Sequence, residues 1–219
     1  PRSTLFPYTT LFLSLAEVLS PRAGAQPYIP FMPPVYNYHT HHYKAGNQNW
    51  AAAEGKDGIL YFGNNNGLLS FEGINWQLHI LPNNVPVKSI FIEQEEDTER
   101  IYTGAFEEFG YFERDEMKRM VYHSLKSLVT EYEFHNDEIW KICPLNGKIY
   151  FQSFSALFVY DGKRVEVIKP YPAVLYLFPF KEKVFAQLID NDFCRFDGTS
   201  FHRLLSREQL SAKDRKSVV

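Results

Sequence analysis

Apolar and polar residues alternate in short runs from Trp50 to Leu205, and the runs recur in one order. The clearest copy is Gly58-Ile59-Leu60-Tyr61-Phe62-Gly63, a turn at Asn64-Asn65-Asn66-Gly67, then Leu68-Leu69-Ser70-Phe71-Glu72-Gly73, then Trp76. A second copy is Ile101-Tyr102-Thr103-Gly104 with Phe109-Gly110-Tyr111-Phe112-Glu113. A third is Gly147-Lys148-Ile149-Tyr150-Phe151 with Leu157-Phe158-Val159-Tyr160-Asp161-Gly162. The fourth is Lys183-Val184-Phe185-Ala186 with Phe193-Cys194-Arg195-Phe196-Asp197-Gly198. Anchored at Leu60, Ile101, Ile149 and Val184, the spacings are 41, 48 and 35 residues, near the ~40–50 of a four-stranded propeller blade. An apolar run precedes each anchor: Trp50 to Ala53, Val87 to Ile92, Ile139 to Cys143, and Val174 to Phe178. Period-two alternation makes these runs strands. The pattern predicts an all-β fold, a partial β-propeller of about four blades with four antiparallel strands each.

The expected blades span 49–86, 87–134, 135–172 and 173–209, after an extended segment at 26–48 and before a tail at 210–219. Phe-Glu-Gly, Tyr-Asp-Gly and Phe-Asp-Gly put an acidic residue and a glycine at the third hairpin, where a tight turn needs positive φ. The aromatic before each tip is placed to pack between sheets. One sheet alone buries one face, so stacking around an axis completes the core. The second unit has Phe112-Glu113-Arg114 instead and predicts a longer hairpin. Its extra length also covers Val121 to Phe134, where Leu125, Leu128 and Val129 sit at helical spacing and predict a short helix or insertion.

Composition reinforces the β reading. Aromatics make up 16% of the chain, with 19 Phe and 14 Tyr, and such residues favour pleated, half-buried surfaces. A formal charge of −3 offers no basic excess to neutralise a phosphate backbone, so nucleic acid is not an expected partner of this segment. The two cysteines, Cys143 and Cys194, form no Cys-x-x-Cys pair and support no zinc site. Both lie in apolar runs, which favours two buried thiols, with a single disulfide as the other reading.

Residues 1–25 are set apart. Leu5 to Leu19 is mostly apolar behind Arg2, and Ala23-Gly24-Ala25 supplies an A-x-A boundary, the form of a secretory signal cut before Gln26. Interruptions at Pro7, Thr9, Thr10 and Glu17 make it too short for a membrane span of about 20 apolar residues. Pro1 to Ser14 also resembles a translated sequencing adaptor, Leu13 departing from the usual arginine, and Asp214 to Val219 resembles its counterpart at the other end. Either reading places the boundary in one region.

Gln48-Asn49-Trp50, Tyr61 to Leu69 and Phe71-Glu72-Gly73-Ile74-Asn75-Trp76 together resemble the opening blade of the two-component-regulator propeller family. Asp137-Glu138-Ile139-Trp140-Lys141-Ile142 resembles the opening of a later blade. The resemblance runs from about Gln26 to Leu205. It implies an exported, periplasmic sensor module of a membrane-anchored regulator, with a triple-tyrosine domain, a membrane span and a kinase or DNA-binding output downstream. Its implied partners are a small-molecule or oligosaccharide ligand, further blades and downstream domains of the same chain, and a second copy in the full-length protein. Four blades fall short of the ring of about six to eight expected for such a module.

His39, His41 and His42 invite a metal reading, but no carboxylate or cysteine stands at a defining spacing, so the run reads as a polar loop. Asn64-Asn65-Asn66 fits a turn before Gly67 and also offers amides to a sugar; both readings stand. Trp50, Trp76 and Trp140 are packing residues or sugar-stacking platforms, and the matched strand entries Asn49-Trp50 and Ile139-Trp140 favour packing. Glu107 with Glu108 and Asp190 with Asp192 are adjacent in sequence, which does not oppose two carboxyls across a glycosidic bond. No nucleophile elbow, phosphate loop or metalloprotease motif occurs. The expected role is ligand sensing without catalysis and without a cofactor or metal. A polysaccharide lyase or hydrolase and a protein-binding scaffold are the alternatives. A binding site belongs on the end formed by the second-to-third-strand turns and the connections between blades. Its candidates are Asn64, Asn65, Glu107, Glu108, Phe154, Asp190 and Asn191.

Overall fold

A computed structural model of the chain describes residues 35–96 and 98–214. The leader-like stretch, its Ala23-Gly24-Ala25 boundary and the last tail residues lie outside the described residues. Among the described residues, sixteen strands form four antiparallel sheets, each of four consecutive strands. Blade 1 holds β1 (Asn49–Glu54), β2 (Leu60–Asn64), β3 (Gly67–Phe71) and β4 (Trp76–His79). Blade 2 holds β5 (Val87–Gln94), β6 (Glu99–Ala105), β7 (Phe109–Arg114) and β8 (Met120–Ser124). Blade 3 holds β9 (Lys141–Leu145), β10 (Lys148–Gln152), β11 (Leu157–Tyr160) and β12 (Val165–Ile168). Blade 4 holds β13 (Val174–Phe180), β14 (Lys183–Leu188), β15 (Phe193–Phe196) and β16 (Phe201–Leu205). The first strands of successive blades touch in chain order, β1 to β5 to β9 to β13. This is the arrangement of propeller blades around an axis.

The strand alternation explains the stacking. Ile101, Ile149 and Val184 pack back toward the preceding blade, while Tyr61, Tyr102 and Tyr150 pack forward onto the following one. Both faces of the inner blades are therefore apolar, and the core consists of three interblade layers. Gly63 and Gly104 share one position in the second strand, and both let the next blade approach closely. A Cβ on Gly63 would stand 2.8 Å from the Val87 carbonyl oxygen, and one on Gly104 would stand 2.5 Å from Ile139 Cγ2. The same position in blade 3 is Gln152, whose amide reaches the Val174 and Leu175 carbonyls at 3.4 Å. Third-strand aromatics complete each layer: Phe112 meets His79, Tyr160 meets Tyr111, and Phe196 meets Tyr150.

The acidic tips behave as the sequence suggests. Gly73, Gly162 and Gly198 take φ of 81°, 95° and 106°. Asp161 and Asp197 each accept two backbone N–H groups at their tips; these bonds hold the Asp161 carboxyl well below the usual range, and the His202 side chain, followed by the backbone bonds, does the same for Asp197. Asp115 caps the blade 2 tip in the same way from Met117 and Arg119, across the longer hairpin predicted there.

The structure refines four local expectations. Val121 to Ser124 belong to β8, and only Lys126–Leu128 makes a single 3₁₀ turn. The helical spacing there reflects one turn feeding a loop, with Leu125, Tyr132 and Phe134 packed against Phe109 and Phe158. Ile139 and Trp140 precede β9 instead of opening it, because Ile139 N–H is taken by the Ala105 carbonyl of blade 2. Within 26–48, Thr40–Tyr43 forms a one-turn helix, α1, and the boundary placed at 210 falls inside helix α2 (Arg207–Asp214). Cys143 and Cys194 are free buried thiols in the layer between blades 3 and 4, and burial pushes the Cys143 thiol up to about 12. Among the described residues no helix is long and apolar enough to cross a membrane.

Candidate functional site

Antiparallel strands put the second-to-third-strand turns and the blade-to-blade connections at one end of the sheets. Three of the four first strands are distorted at their entrance there. The ladder register slips between Asn49 and Ala51, between Val87 and Ser89, and between Val174 and Tyr176. The extra residues are Trp50, Lys88 and Leu175. The residues that follow them, Ala51, Ser89 and Tyr176, pair with Gly63, Gly104 and Gln187. By the same pairing, Lys141 with Gln152, the equivalent residue in blade 3 is Trp140. Bulges re-aim side chains, and these four positions occupy one level of the inner strands.

Three of the four meet. Lys88 Nζ lies 3.3 Å from the Trp50 ring centroid and 5.4 Å from that of Trp140, within cation–π range. The two indoles stand 6.2 Å apart at 71° and form a corner. Phe154, on the β10–β11 turn, lies 5.9 Å from Trp140 at 33° and extends that wall. Glu138 approaches Lys88 at 3.7 Å. The Trp50 Nε1–H donates to Asn65 Oδ1 at 2.8 Å, fixing the ring. Trp50 is 38% exposed and Phe154 46%, so the corner opens to solvent. Trp76 differs: it stacks on Phe71 at 4.3 Å and packs with Tyr38 and Tyr43. Packing describes Trp76, whereas Trp50 and Trp140 present partly open ring surface.

The sequence candidates divide. Asn65 and Phe154 join the corner. Asn64 is fully buried, and its amide is committed to both the N–H and carbonyl of Gly46, to Asn49 and to Asn66 N–H; it anchors the segment before blade 1. Glu107, at φ 49°, accepts from Asn136 N–H and faces Lys126 at 3.8 Å. Glu108 is 5% exposed and accepts from Phe109 N–H, Tyr122 Oη and Ser124 Oγ. Asp190 caps Asp192 N–H, and Asn191 accepts from Gln187; both lie on the exposed blade 4 turn. Lys88 carries no motif, Glu138 stands only in the Asp137–Ile142 blade opening, and neither is among the sequence candidates. The signal for Lys88 was its position, one residue into the strand entry, as Trp50 and Trp140 are.

A buried carboxylate secures the long blade 2–3 connection that carries Glu138 and Trp140. Asp137, 1% exposed, accepts from Ser153 Oγ, Tyr132 Oη and His135 N–H. Burial, then Asp137, pushes the Tyr132 phenol up to about 12. Phe106 pairs with Glu138 in an isolated antiparallel bridge, so the β6–β7 turn is tied to the same connection. At the opposite end, a cleft of about 600 Å³ runs past Asp57, Ile59, Glu72 and Arg114, but its Arg114 and Glu72 pair with each other at 3.4 Å. Among the described residues no cluster of three His, Cys, Asp or Glu side chains suits a metal ion.

No protein-family model and no curated protein matches the chain. Solved structures do. Two are of the extracellular domain of BT4673 from B. thetaiotaomicron, named in one as a one component system and in the other as a hybrid two component system. They align with 16% identity at TM-scores of 0.52 and 0.53, over 72% and 74% of this chain. The extracellular domain of hybrid two component system BT3049 from the same organism aligns at 0.50 with 12% identity over 73%. The chain shares the fold of these extracellular domains. It spans 21–22% of their length, so the likeness is to about a fifth of each.

Proposed function

We propose that this chain is a ligand-sensing propeller segment of an exported, membrane-bound signalling regulator, and that its ligand is a glycan fragment. The observation that carries this reading is the convergence of equivalent strand entries on one partly open aromatic corner, Trp50 and Trp140 with Phe154. An indole face suits the C–H face of a sugar ring, and ligand sites pair such apolar walls with a few placed polar groups, here Asn65 and Glu138. The named roles of the structurally similar extracellular domains support signalling over turnover. So does the commitment of Glu107, Glu108 and Asp190 to internal bonds. On this reading the segment faces the periplasm and works with further blades and an output domain of the same regulator.

The test is tryptophan-fluorescence titration of the full chain with an oligosaccharide panel. Trp50→Ala and Trp140→Ala should each abolish the response while circular dichroism stays unchanged, and Trp76→Phe should retain it. A response that survives both corner substitutions overturns the site.

A further inference from the structure

Resting on the sensor reading above, the geometry points to a site that selects neutral sugar rings over both uronates and protonated amino sugars. The aromatic corner already contains its own cation. Lys88 Nζ occupies the face of Trp50 at 3.3 Å and lies 5.4 Å from Trp140, the position a ligand ammonium would otherwise take. The Lys88 side chain is only 9% exposed, so it cannot swing out to admit a competitor without losing both contacts. An amino sugar therefore finds that position filled by a like charge.

An anionic sugar finds the cation of the corner already paired. Glu138 stands 3.7 Å from Lys88 and, at 30% against 9%, is the more exposed of the two. A uronate would have to displace this carboxylate and leave it beside its own charge. Lys126 faces Glu107 at 3.8 Å, Asp137 is saturated by three donors, and Lys141, next to Trp140, turns to the Tyr176 ring of blade 4 at 6.0 Å. What remains is the second face of Trp50, the Trp140–Phe154 wall, and the acceptor oxygens of Glu138 and Asn65. Those acceptors suit hydroxyl donors, and the ring faces suit an uncharged pyranose. Lys88 is thus a specificity residue, and Glu138 sets its charge balance.

The experiment titrates the full chain, by tryptophan fluorescence, with matched panels of neutral hexose oligosaccharides, uronate oligosaccharides and protonated glucosamine oligomers, at low and high salt. Neutral sugars should bind at least about tenfold more tightly than either charged class, with a Kd indifferent to salt because no net charge is exchanged. Lys88→Ala, which empties the cation position beside Glu138, should gain glucosamine binding that the parent lacks. Tighter uronate binding that weakens with salt, and is still lost in Trp50→Ala, overturns the neutral selectivity and leaves the sensing site standing. An unchanged ranking in Lys88→Ala overturns the role of Lys88. Absence of binding by all three panels removes the glycan reading itself.

Discussion

His79 makes the blade 1–blade 2 layer sensitive to mild acid. It lies on β4, 9% exposed, with Nε2 3.0 Å from Ser70 Oγ and its ring 5.9 Å from Phe112 of blade 2. Burial, and then the Arg114 guanidinium, lower its pKa from 6.5 to about 4, with Glu72 opposing. The unfolded chain takes up this proton near pH 6.5 and the folded chain only near 4. Between those values the unfolded state holds more protons, so stability rises with pH across the window and is lost as pH falls through it. The whole gap corresponds to about 3 kcal/mol at 1.36 kcal/mol per unit. The part between pH 7 and pH 5 is about 2 kcal/mol, which lowers Tm by about 4–8 °C in a domain of this size. Melting curves by circular dichroism at the two pH values, for the parent and for His79→Gln, isolate the term. Other groups titrate in both proteins and cancel in the difference. The parent should lose about 4–8 °C more than the variant on acidification; equal losses would refute the assignment.

Two further perturbations address the stacking. Gly104→Ala drives a methyl group into Ile139 and Ser89 of the interblade layer and should destabilise by about 1–3 kcal/mol in urea titrations, whereas Gln187→Ala, at the same position in blade 4, should be close to neutral; equal effects would show that the close approach is not limiting. Hydrogen exchange should be slower in β6 and β7, packed on both faces, than in β14 and β15, where Phe185 is half-buried although Tyr61, Tyr102 and Tyr150 are buried; uniform protection across the blades would contradict the layered core.

Much of this fold is written in a two-residue period. The anchors Leu60, Ile101, Ile149 and Val184 all fall in second strands, and the acidic-glycine tips all fall at third hairpins. Those features depend on local alternation and on positive φ, which sequence carries directly. The blade 2–3 connection is the insertion its length implies, with helical character only at Lys126–Leu128; Leu125 and Val129 match helical spacing, yet what places them is the aromatic floor of Phe109 and Phe158 from two different blades. A local period cannot distinguish an amphipathic turn from a loop pressed onto a distant surface.

The site shows the same division in sharper form. Asn65 and Phe154 were legible because turn position alone puts them at the right end of the sheets. Asn64 stood beside Asn65 in the same turn, but whether an amide faces solvent or anchors a neighbouring segment depends on Gly46, eighteen residues away in the chain. Lys88 is the instructive omission. Read alone it is an ordinary polar residue in an apolar run, while the Asn49-Trp50 and Ile139-Trp140 entries drew notice because tryptophan is rare. Aligned by ladder register, Trp50, Lys88, Trp140 and Leu175 are one repeated position, and the repeat that specifies the architecture also specifies which side chains must converge. A bulge sets this position in blades 1, 2 and 4, and in blade 3 it is the residue just before the first strand, so in each blade its side chain leaves the regular alternation of the ladder. That freedom lets two indoles and an ammonium occupy equivalent sites, and it makes this level of the propeller the place where binding chemistry can vary without cost to the fold.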